Sequence, residues 1–150
     1  MAGLVTLLII GCAVALAAGY ARTKLILVVV DGDSMRPLIA AGTRVLVRRT
    51  RRCRGGDIVL LRPWRFGPPM VKQVVAVAGD PVPAEFRPVT AAATVPDGML
   101  LIRGTAPDSM DSRQLGPLAT GDVVGVVLGR RPPIPAPAAP GGAPRLTGGV

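Results

Sequence analysis

An all-β domain of short strands, preceded by one N-terminal transmembrane helix, is the fold class the sequence predicts. Three observations carry it. Residues 2–21, AGLVTLLIIGCAVALAAGYA, hold no charge, and about twenty apolar residues suffice to cross a bilayer as one helix. Six short runs rich in Val, Leu and Ile follow, set off by Gly and Pro, the pattern of strands punctuated by turns. Helical periodicity is almost absent among them.

The apolar stretch ends at Tyr20, with Arg22 and Lys24 just beyond, as expected of a helix leaving the membrane through the headgroups. A cleaved signal peptide is the alternative, but it would start with a basic region that is missing here. IIGC, ending at Cys12, resembles a lipoprotein cleavage box, yet the apolar run before it is short and uncharged. An anchor over residues 1–23 is the expectation. The flanking charge favours a cytoplasmic domain after it.

The expected strands are LILVVV (25–30), RVLVR (44–48), DIVLLR (57–62), MVKQVVAVA (70–78), GMLLIRG (98–104) and DVVGVVLG (122–129). The first is continuous and so expected to be buried; the second alternates. Between them, residues 37–41 form the one short helix-like piece, stopped by Gly42. WRFGPPM (64–70) is expected either to dip into the bilayer surface or to close as an ordinary hairpin loop. The folded domain is expected over 24–130. The tail over 131–150, rich in Pro, Gly and Ala, cannot bury a core and is expected to be disordered.

Composition excludes much. The net charge is +9 and almost entirely arginine, with lysine only at Lys24 and Lys72. The run RRTRRCR, 48–54, fits a solvated loop, an anionic lipid surface or nucleic acid. No aromatic interleaving or nucleic-acid motif accompanies it, so no nucleic-acid partner is expected. Histidine is absent, which removes Ser-His-Asp and Cys-His catalysis and most catalytic zinc sites. Neither a metal nor a cofactor is expected. Cys12 and Cys53 lie in different settings and imply no disulfide.

The chain holds three serines, Ser34, Ser109 and Ser112. Ser34 follows a valine run and the turn Asp31-Gly32-Asp33. Gly32 lets the backbone bend and leaves amides free to face a carbonyl oxygen; a plain turn or helix-cap serine is the other reading. A serine nucleophile needs a base. Without histidine, and with arginine always protonated, a neutral lysine is the best-known partner. Lys72 lies in an apolar strand, where alternation puts it on one face with Val74, Ala76 and Ala78. Burial there would lower its pKa; an edge-strand lysine that blunts aggregation is the other reading. A third segment, RGTAPDSMDSRQLG (103–116), gathers Ser109, Asp111, Ser112 and Arg113 in one polar loop. Ser109 could orient the lysine, while Asp111 and Arg113 could pair.

In order, a membrane helix, GDSMRP, KQVVAVAGD and SMDSR resemble the type I signal peptidase family, membrane-bound serine proteases with a Ser-Lys dyad. The resemblance covers roughly residues 5–129 and looks like a reduced catalytic core. It implies Ser34 as nucleophile, Lys72 as general base, and an oxyanion hole at Gly32 and Ser34. Ser109 would orient the lysine, and Asp111 and Arg113 would form a structural ion pair.

Four positions depart from the family pattern. Leu38-Ile39 stands where Thr-Leu is usual, and Gln73 where Arg is usual. Gly104-Thr105-Ala106 replaces Gly-Asp-Asn, a segment that supports the active-site loop. Gly32 sits where some members carry an oxyanion-hole serine.

The resemblance further implies cleavage of preprotein signal peptides after small residues. It also implies a single-pass protein of a bacterial cytoplasmic membrane, in contact with lipid, with its catalytic domain on the extracytoplasmic face. That orientation opposes the flanking-charge argument. A dedicated maturation protease for one substrate, or a non-catalytic tethered binding module on the same fold, are the competing expectations. The sequence leaves the oligomeric state open.

Overall fold

The computed structural model describes residues 2–62 and 67–129. The uncharged N-terminal stretch forms α1 (Ala2–Lys24), with no acidic residue in its first turn and Arg22 and Lys24 in its last. Val5–Lys24 is long and apolar enough to cross a membrane, and none of it is buried against the rest of the chain.

Six strands appear where the apolar runs predict them: β1 (Leu25–Val29), β2 (Arg44–Arg49), β3 (Ile58–Leu61), β4 (Met70–Val77), β5 (Met99–Arg103) and, last in the chain, β7 (Val123–Val127). The sequence reading missed a two-residue β6 (Leu118–Ala119), too short to show a period. All pair antiparallel, in the order β1-β2-β7-β3-β4-β5-β6. The expectation of an all-β domain behind an apolar helix therefore holds. β1 is half exposed rather than buried, because it forms the sheet edge.

β3 and β5 read as continuous apolar runs because both their faces are covered. Ile58 and Leu60 join Val30, Met35, Ile39, Val45, Val47 and Val71 in one core cluster. Val59 and Leu61 join Val74, Leu100, Ile102, Val123 and Val126 in another. Leu101 packs with Phe86, Val82 and Val95 in a third. β7 enters between β2 and β3 only because residue 125 is glycine. A Cβ there would meet the Arg48 carbonyl oxygen at 2.4 Å and Val47 Cγ1 at 2.6 Å. Gly125→Ala is expected to destabilise the domain by about 3 kcal/mol or more, since backbone cannot give way as a side chain can. Thermal melting of the detergent-solubilised chain would show it.

Two local expectations are corrected. Residues 37–41 form turns and a bend, not a helix. Four residues between Pro37 and Gly42 cannot repay helix nucleation, and only Ile39 N–H reaches back four residues, to the Met35 carbonyl at 2.8 Å. Strand alternation along β4 also fails past Val74, where the pairing with β5 shifts register. Val74 and Ala76 then enter different core clusters, and Ala78 lies beyond the strand. Residues 64–66 of WRFGPPM and the tail from 130 onward lie outside the described residues.

Candidate active site

Ser34 sits in the loop joining β1 to β2. The loop is closed at its base by Val30 N–H to Thr43 O (2.9 Å) and Gly42 N–H to Val30 O (2.8 Å). Met35, fully buried, and Ile39 pin it into the core. Gly32 takes φ +94° in open space, so backbone conformation, not crowding, selects glycine there. The N–H groups of Gly32 and Ser34 donate to no acceptor among the described residues. Asp33 and Arg36 form an exposed pair at 3.4 Å, a contact of little energetic weight.

Lys72 lies on β4, in register opposite Val59, and only 3% of it is exposed. Its ammonium donates to Ser109 Oγ at 2.5 Å. Burial pushes its pKa below the ordinary lysine value; Asp111 and Asp108 oppose that shift and Arg113 adds to it. Ser34, Lys72 and Ser109 share one groove of about 560 Å³, walled by Val29, Leu60 and Met70. Among the described residues no hydrogen bond joins Lys72 Nζ to Ser34 Oγ. A larger groove lies elsewhere, against the end of α1.

The third segment closes over the site from behind. Ala106 N–H donates to the Ser34 carbonyl at 3.1 Å. A Cβ on Gly104 would fall 1.7 Å from Ser109 Oγ and 2.8 Å from the Ser34 oxygen, so the Gly104-Thr105-Ala106 departure still makes a close backbone seam. Asp111 is fully buried. It accepts from Gly104 N–H at 2.9 Å and Arg113 N–H at 3.0 Å. The Arg113 guanidinium reaches it through Nε at 2.9 Å and Nη2 at 2.8 Å. Ser112 Oγ accepts from Ile102 N–H, fastening the loop to β5.

The sequence reading missed how this loop ends. Asp111 caps a single turn, α2 (Ser112–Leu115), and Gln114 bonds back to the Asp111 N–H in a capping box. DSRQ carries that signature in the sequence. The buried Thr105 Oγ1 has no hydrogen-bond partner among the described residues.

Burial alone would raise the Asp111 pKa; the Arg113 guanidinium and the Gly104 and Arg113 amides outweigh it and hold the carboxyl below its ordinary value. An unfolded aspartate titrates near pH ~4 and the folded one lower. Its stabilisation is therefore complete above about pH 4 and is lost as pH falls through the folded value. Asp111→Asn is expected to cost about 3 kcal/mol at neutral pH by leaving the guanidinium unpaired. It should also flatten the acid limb of a melting-temperature profile.

A family model described as signal peptidase, peptidase S26, matches residues 3–85. The match takes in α1, Ser34 and Lys72 and stops short of Ser109, Asp111 and Arg113. No curated protein gives a significant match to the chain.

Proposed function

The chain belongs to the signal peptidase family, peptidase S26, and on that premise we propose that it is a membrane-anchored serine endopeptidase that removes signal peptides from exported preproteins. The observation that carries this is the shared groove of Ser34, Lys72 and Ser109, with Lys72 buried and bonded to Ser109.

In this reading α1 anchors the chain, residues 24–130 form the peptidase domain, and the domain faces the extracytoplasmic side of a bacterial membrane. Lys72, neutral when it acts, takes the Ser34 proton as Oγ attacks the scissile carbonyl. The Gly32 and Ser34 amides receive the oxyanion. Lys72 then protonates the leaving amine and deprotonates the water that hydrolyses the acyl-enzyme. Ser109 orients the lysine, and the Asp111–Arg113 pair holds the loop behind it. The valine-lined groove favours small side chains next to the cut.

The detergent-solubilised chain is expected to cleave a preprotein with an Ala-x-Ala site, while Ser34→Ala and Lys72→Ala are inactive. Cleavage by all three proteins, or by none, overturns the assignment. A reporter fused after Val150 is expected on the extracytoplasmic side.

A further inference from the structure

The larger groove, about 710 Å³, lies where the end of α1 meets β2 and the arginine loop. Tyr20 and Lys24 line it from the helix; Arg48, Arg49, Arg52 and Arg54 line it from the loop side. No carboxylate among the described residues forms an ion pair with any of these five cations. Asp57 is the one carboxylate in the lining, and it accepts from the Arg54 backbone N–H at 2.9 Å. Five like charges thus line one groove with a single carboxylate among them, a positive potential that attracts an anion.

Position identifies the anion. A twenty-residue span, Val5–Lys24, rises about 30 Å, roughly one hydrocarbon core, so its end lies at headgroup depth. Next to the cations the sheet edge is apolar on its open face. Leu27 pairs with Leu46 and Leu25 with Arg48, and Leu27 and Leu46 are 65% and 39% exposed. An apolar strip running into a cationic groove at the membrane surface fits an acyl chain and its phosphate. It does not fit a nucleic acid, for which the loop offers no stacking platform.

We propose that this groove binds the headgroup of an anionic phospholipid and thereby sets how the β-domain rests on the bilayer. The proposal rests on α1 as a membrane anchor, but not on the peptidase chemistry.

The anchor holds the chain in any membrane, so retained lipid is the readout, not membrane attachment. The full chain would be extracted from vesicles of equal phosphatidylcholine and phosphatidylglycerol, and its bound lipids counted by native mass spectrometry. Retention of phosphatidylglycerol over phosphatidylcholine is expected. The triple variant Arg48→Gln, Arg52→Gln, Arg54→Gln should lose that preference on the order of a hundredfold, at about one kcal/mol per arginine. The Arg→Lys triple should keep most of it.

Equal retention of both lipids overturns the proposal, as does an unchanged preference in the glutamine variant. Displacement of phosphatidylglycerol by millimolar inorganic phosphate or by a DNA oligonucleotide would assign the groove to a soluble anion instead. Extraction of the wild type by alkaline carbonate would overturn anchor and lipid site together. Carbonate resistance without a lipid preference overturns the site alone.

Discussion

Lys72→Arg is expected to slow preprotein cleavage by about 10³-fold or more, although it preserves the charge. The argument turns on protonation. A guanidinium stays protonated throughout the accessible pH range, so it can donate to Ser109 but cannot take a proton from Ser34. Lys72 can do both, because burial lowers its pKa and brings the neutral amine within reach. The same logic fixes the sign of the pH dependence. Only the deprotonated fraction is active, so the wild-type rate should rise with pH while Lys72 titrates and level off above its folded pKa. That plateau should come below the ordinary lysine value of 10.5. Rates of acylation between pH 6 and 10, for wild type and variant side by side, would measure both. A rate flat across the alkaline range, or near wild-type turnover by Lys72→Arg, would remove the lysine base from the mechanism.

How much of this was visible before the fold was known differs from element to element. The strands were legible because Val, Leu and Ile runs broken by Gly and Pro leave little choice of structure. β6 was not, because two residues carry no period. The β4 bulge was invisible because nothing in VVAVA marks which valine steps out of register. The site shows the same division. Ser34, Lys72 and Ser109 could be singled out by scarcity and setting, the first two also by the chemistry a histidine-free protease needs. Its place in the polar loop and the family resemblance both point to Ser109 as the lysine's hydroxyl partner, and Lys72 does donate to it. Ser112 instead receives a β5 amide. Met35 read as part of a motif; its main contribution is to the core, where it fixes the loop that presents Ser34.

Gly104→Ala is expected to reduce turnover by roughly 100-fold, the effect of moving a catalytic group by about 1 Å, in a chain that still anchors and keeps its sheet. Gly104 does no chemistry, and it needs no left-handed backbone. Its requirement is space. The added methyl would overlap Ser109 Oγ at 1.7 Å and Ser109 Cβ at 2.3 Å and press on the Ser34 carbonyl oxygen at 2.8 Å. The hydroxyl that holds Lys72 and the backbone that carries the nucleophile would both have to retreat, in different directions. Gly121→Ala supplies the control, since a Cβ there meets nothing within 4 Å, and it should behave as wild type. A second substitution separates crowding from misplacement. Adding Ser109→Gly removes the two shortest overlaps but leaves the Ser34 contact and deprives Lys72 of its partner. The double variant should therefore melt closer to wild type than Gly104→Ala while remaining as slow. Recovery of turnover along with stability would show that residue 104 serves packing alone. Recovery of stability without turnover would mean that the Ser109 hydroxyl and the Ser34 contact, not packing, limit the reaction.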